Sequence, residues 1–187
     1  MVGAETRLTH QDQPPNSITP AQTTALAERR PVQAWTDPDW QRLWLKLARI
    51  SWSTLALIPA GPGAGAEFTL TLATTLARTG MSHVGVPIMV ADGTQVPLNQ
   101  LNAFLTDVRA CRDGGERIII ALTHTGENPT TASIAKDADA VVLCVMIGGM
   151  RSGDAKDTIK LVGASKFVGS VIVHSDAASS SPLGKKK

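Results

Sequence analysis

The chain has 187 residues, 43% of them hydrophobic and 18% charged, and its 18 Lys plus Arg against 16 Asp plus Glu leave a net charge of +2. That composition excludes a wholly disordered chain, and the charge is too small to mark a nucleic-acid protein. Tyrosine is absent. Cys111 and Cys144 have no CxxC spacing, so they form no zinc site by themselves. They are expected to be reduced and buried, because nothing in the sequence reads as an export signal. No apolar run reaches the ~20 residues of a membrane span. A soluble, cytoplasmic protein is therefore expected.

Residues 1–34 are rich in Thr, Gln, Pro and Ala and are expected to form a flexible leader, with one short helix near 20–29. Residues 176–187, ending in three lysines, are expected to form a disordered tail. The folded domain is then 35–175. Asp37-Pro38 opens a helix, with Asp37 as N-cap, and Trp40, Leu43, Trp44 and Leu47 recur at helical spacing. A first strand at 55–58 runs into Pro59-Ala60-Gly61-Pro62-Gly63-Ala64-Gly65. A helix over about 66–78 follows, ended by Gly80. Then come a strand at 84–90, a helix at 97–112, a strand at 117–122, a short helix at 128–136, a strand at 140–146, a helix at 153–162 and a strand at 167–173. Strands without strict alternation, separated by helices, predict βαβ units and a parallel sheet covered on both faces.

The strand–loop–helix at 54–78 is the strongest chemical feature. Glycines at 61, 63 and 65 let the backbone approach a ligand closely, and the following helix start suits a phosphate. Three cofactor readings compete. A P-loop needs G-x-x-x-x-G-K-[ST], but Ala66 and Glu67 stand where Lys and Ser/Thr belong. A dinucleotide fold fits Gly61-x-Gly63-x-x-Ala66 loosely, with Asp92 as the ribose acid. A methyltransferase binding SAM fits Gly61-x-Gly63-x-Gly65. Glu67 would repel a triphosphate.

Taken in order, four strings look like a family. They are Asp39-x-x-Arg42, Ser53 to Gly65, Ala138-Asp139-Ala140-Val141-Val142-Leu143-Cys144-Val145, and Leu161-Val162-Gly163-Ala164-x-x-Phe167 to Val173. Over about 37–174 the chain resembles the cytoplasmic domain of bacterial tyrosine kinases, P-loop ATPases of the MinD/ParA class that serve capsule and exopolysaccharide export. The resemblance implies a P-loop NTPase-like, three-layer α/β sandwich with a mostly parallel five-stranded sheet. It also places the family's signature lysine at Ala66, its Mg²⁺-binding hydroxyl at Glu67 and its Walker B acid at about Thr123. The second acidic motif falls on Ala91 and Gly93, with Asp92 available only if the register shifts. The tyrosine tail has no counterpart, and the oligomerisation motif is reduced to Asp39-x-x-Arg42-x-x-Leu45.

Phosphoryl transfer depends on those groups, so the resemblance implies a pseudo-kinase or pseudo-ATPase. Such a chain would bind partners in an exopolysaccharide synthesis or export assembly. The partners are itself or a membrane-embedded export component, which would hold it at the inner face of the membrane. No cofactor is expected. Residual ATP or ADP binding without turnover, at Gly61, Gly63, Gly65, Ala66 and Glu67, stays open, as does a Rossmann-like enzyme binding SAM or NAD.

Other features have plainer readings. His10, His83, His124 and His174 have no metal-ligand spacing. His124 and Glu127 form either an acid/base pair or part of a solvated loop. Asp92 binds a ribose or an ion, or caps a turn with Gly93. Ser51, Ser53 and Thr54 lack a nucleophile elbow. Trp35, Trp40, Trp44 and Trp52 cluster within 18 residues. Their helix either packs on the sheet or docks a partner through Trp40, Arg42 and Trp44.

Overall fold

The computed structural model describes residues 36–147 and 151–174, all within the unit Gln33–Lys187. The expected leader and tail, with Trp35 and His10, lie outside the described residues. Five strands, β1 (Thr54–Pro59), β2 (Ile88–Asp92), β3 (Arg117–Ala121), β4 (Ala140–Ile147) and β5 (Phe167–His174), form one sheet in the order β2-β3-β1-β4-β5. Every pairing is parallel. The helices are α1 (Pro38–Leu47), α2 (Ala66–Val84), α3 (Leu101–Asp113), α4 (Thr131–Asp137) and α5 (Ser152–Val162).

Parallel strands need crossovers, and the crossovers cover both faces of the sheet. All six residues of β1 are buried. One face packs Leu55, Leu57, Val142 and Cys144 against α1 and α2. The other packs Ala56, Ile58, Ile120 and Val141 against α3, α4 and α5. The result is a three-layer α/β sandwich on an all-parallel five-stranded sheet, the parallel βαβ architecture that the sequence predicts.

Asp37 caps α1 as expected, its Oδ1 accepting from the Asp39 N–H at 2.7 Å. Gly80 does not end α2. The helix runs on to Val84, and Gly85 closes it in the left-handed conformation at φ 71°. Gly80 lies inside the helix because a Cβ there would meet Ile88 Cδ1 at 2.4 Å and Trp44 Cη2 at 2.5 Å. The longer helix shifts the second strand to Ile88–Asp92. α4 also starts later than predicted, at Thr131. The Asn128 side chain holds Thr130 in a turn, accepting from its N–H at 3.1 Å and its hydroxyl at 2.8 Å.

Cys144 is buried, and burial pushes its thiol up to about 12. Cys111 is only half-buried, which corrects the expectation of two buried thiols. Among the described residues no helix is long and apolar enough to cross a membrane.

Candidate functional site

The connections after β1 and after β3 leave toward opposite faces of the sheet, since α2 packs with one core cluster and α4 with the other. In open α/β sheets the crevice at such a reversal, beyond the carboxyl ends of the strands, is where ligands bind. The glycine loop lies on one side of it. Gly63 and Gly65 hold positive φ of 85° and 72°, which only glycine adopts without strain. Gly65 is the N-cap of α2 and makes no side-chain cap bond. Ala66 and Glu67 are therefore the first residues of the helix. Glu67 is exposed and stands where a carboxylate complements the helix dipole.

The loop after β3 forms the other side, and one of its side chains crosses the crevice. Glu127 Oε1 accepts a hydrogen bond from the Gly63 N–H at 2.8 Å. An internal carboxylate thus occupies one amide of the glycine loop. Glu127 was legible in the sequence only as a neighbour of His124; its partner, 64 residues away, was not.

His124 and Glu127 do not form the expected pair. His124 is buried, and its Nδ1 accepts from the Gly126 N–H at 3.1 Å. Its other ring nitrogen, Nε2, lies 3.1 Å from Thr158 Oγ1 on α5. The His124 carbonyl accepts from the Glu127 N–H at 2.9 Å. The histidine thus anchors a turn whose Gly126 and Glu127 are exposed, so the solvated-loop reading holds for Glu127 and fails for the buried ring.

The residues that the resemblance puts at catalytic-acid positions have structural work. Thr123 is buried, and its hydroxyl donates to the Thr94 carbonyl at 3.1 Å. Ala91 packs on a core cluster. A Cβ on Gly93 would sit 2.7 Å from Leu122 Cδ2, so a side chain there requires the Leu122 tip to move. Asp92 Oδ1 accepts from the Thr94 N–H at 3.0 Å and the Thr94 hydroxyl at 2.6 Å. It caps its own turn, as one of its readings had it.

Asp92 also stands apart from the glycine loop. β3 separates β2 from β1, a displacement of about 9.5 Å at ordinary strand spacing. A dinucleotide fold sets its second strand beside the first. The strand order therefore counts against the Rossmann-like reading with SAM or NAD.

α1 packs on α2 and lines a groove with Val142 of β4 and with β5. Trp44 is 1% exposed. Its ring meets Trp52 edge-on, with centroids 6.1 Å apart, and rests on Gly80. Trp44 is a core residue, which corrects its expected place on a docking face: the helix turns that ring into the sheet. Trp40 is half-buried and Arg42 is exposed, paired with Asp39 at 2.8 Å. Both line a groove of about 890 Å³ between α1 and β5.

The fold and the loop define an α/β domain with an all-parallel five-stranded sheet, in which a glycine loop after the first strand is hydrogen-bonded to Glu127. No family model and no curated protein matches the chain. A solved structure, the BceF Tyrosine Kinase Domain, is similar at 17% identity with a TM-score of 0.46, covering 71% of this chain and 72% of that one.

Proposed function

We propose that this chain is a non-catalytic pseudo-kinase subunit that binds protein partners, copies of itself included, in a bacterial exopolysaccharide synthesis or export assembly. The observation that carries the non-catalytic half is the Glu127–Gly63 bond at 2.8 Å across the ligand crevice. A nucleotide would have to displace that carboxylate and then lie beside Glu67, where two like charges at 4 Å repel by roughly 1 kcal/mol in water and more near a protein surface. Ala66 and Thr123 supply neither the cation nor the metal-binding acid that phosphoryl transfer uses. The partner-binding half is supported by the groove at α1, where Trp40 and Arg42 stand at its rim. The exopolysaccharide setting, and a place at the inner face of the membrane through a partner, follow from the family resemblance of the sequence.

Thermal melts with ATP, ADP, SAM and NAD, each with and without Mg²⁺, test the reading. A ligand at 100 times its Kd stabilises a fold by about 2.7 kcal/mol, several degrees for a domain of this size. Every melt is expected to match the ligand-free chain. A shift with ATP or ADP makes the loop a working nucleotide site, and a shift with SAM or NAD makes the chain a Rossmann-like enzyme. The second result overturns the proposal; the first removes the closed-loop argument and leaves phosphate release from ATP to decide whether the chain is catalytic.

A further inference from the structure

β5 is an edge strand eight residues long, and among the described strands it pairs only with β4. Long edges are aggregation hazards, and proteins usually blunt them with lysine, proline or inward charge. From Phe167 through Val173 this edge carries no charge and no proline. Ile172 is 60% exposed. A Cβ on Gly169 would meet nothing within 4 Å.

The edge is also roofed on one face. Leu43, Leu47 and Ile50, in or just after α1, line a groove with Val142, Val171 and Val173 of the sheet. The register irregularity at Val168 interrupts the start of β5; from Gly169 onward an added strand would find backbone partners and apolar cover on one side.

The charges at the rim select the occupant. Asp37 and Asp39 stand at the start of α1, and Arg42 and Lys46 in its later turns, and all four line the groove. A two-fold interface must be self-complementary. If β5 pairs antiparallel with β5 of a second copy, the two α1 helices lie on the same face of a continuous sheet and run in opposite directions. The acidic end of each then faces the basic end of the other. The Asp39–Arg42 bridge within one chain is no obstacle, because both side chains are largely exposed, at 85% and 73%, and such pairs exchange at little cost.

We infer that the α1–β5 groove takes the β5 edge of a second copy of this chain, joining two five-stranded sheets into one across a two-fold axis. This rests on the partner-binding reading of α1 and names the partner.

Sedimentation of the full chain tests it. The wild type is expected at twice the 19.7 kDa chain mass. Ile172→Lys sets like charges on the edge at an exposed position and is expected to give a folded monomer. Lys46→Glu is expected to weaken the dimer about tenfold. Adding Asp39→Lys to it is expected to restore the dimer, which a merely structural defect would not permit. A monomeric wild type, a dimer that survives Ile172→Lys, or a charge swap that fails to restore association each overturns the inference. A monomer that binds a different protein through Trp40 overturns the inference and spares the partner-binding reading. A dimer that hydrolyses ATP does the reverse, sparing the inference and removing the non-catalytic reading.

Discussion

Replacing Gly80 by alanine sets two effects of known sign against each other. Gly80 lies inside α2, where alanine is favoured over glycine by about 1 kcal/mol on helix propensity alone. The added Cβ would sit 2.4 Å from Ile88 Cδ1 and 2.5 and 2.6 Å from two carbons of the Trp44 ring. Carbon atoms rest about 3.5–4.0 Å apart, so the neighbours must give by roughly 1 Å. The Ile88 methyl can swing aside. The indole is rigid, 1% exposed and backed by Trp52, so it can only move together with α1. Overpacking of this kind costs about 1–3 kcal/mol. The packing term wins, and Gly80→Ala is expected to lose about 1–2 kcal/mol, a fall in Tm of about 2–8 °C. Urea unfolding followed by circular dichroism measures it. In a Trp44→Leu background the clash is gone and the same substitution is expected to be neutral or stabilising, a coupling that a double-mutant cycle reads directly. A single Gly80→Ala variant as stable as the wild type would refute the packing argument.

Three further outcomes follow from the same geometry. Burial pushes the Asp139 carboxyl up, but bonds from the Thr54 and Ser53 N–H groups and the Thr54 hydroxyl outweigh it and hold the group below its ordinary value. A depressed carboxyl contributes stability above the unfolded pKa of about 3.9 and loses it as the pH falls through the folded value. Asp139→Asn is therefore expected to cost about 1 kcal/mol at neutral pH, a modest figure because the group is exposed, and the gap to the wild type should close in acid melts below about pH 4. Trp44→Ala is expected to cost about 3–5 kcal/mol as a core truncation, whereas Trp40→Ala should leave the melt near that of the wild type and weaken self-association; equal effects on stability would contradict the placement of the two rings. Glu127→Ala removes the acceptor of the Gly63 N–H and is expected to speed hydrogen exchange at that amide about tenfold, the equivalent of one charge-assisted bond of roughly 1.4 kcal/mol; unchanged exchange would show that the bond does not form in solution.

Much of this fold was legible because its signals are local. Asp37-Pro38 announces the start of α1, and Ile118-Ile119-Ile120 and Val141-Val142-Leu143 have the uninterrupted apolar character of strands buried on both faces. The errors arose where a distant residue decides. Gly80 looked like a helix stop because glycine usually is one; its reason is the Trp44 ring, 36 positions earlier. Asn128-Pro129 looked like a helix start, but the Asn128 amide donates to the Thr94 and Val96 carbonyls at 3.3 and 3.2 Å and makes it a turn. In the candidate site, the glycine loop was readable from spacing, and the absence of a Lys, a hydroxyl and an acid is what the family resemblance implies. The closing contact was not, since a bond between Glu127 and Gly63 requires the strand order that sets β3 beside β1. Trp40 and Trp44 share a helical period, yet only packing against Gly80 and Trp52 reveals which of them turns inward.

The non-catalytic claim is tested most directly by phosphate release from Mg²⁺-ATP by the full chain, measured against the heat-denatured chain over the same period. The account predicts release no faster from the folded chain than from the denatured one, because Glu127 occupies the loop amide and neither Ala66 nor Thr123 can stabilise the transferring group. Release that requires the folded chain, and that is lost when Gly63 is replaced by valine, would contradict it and make the glycine loop a catalytic site.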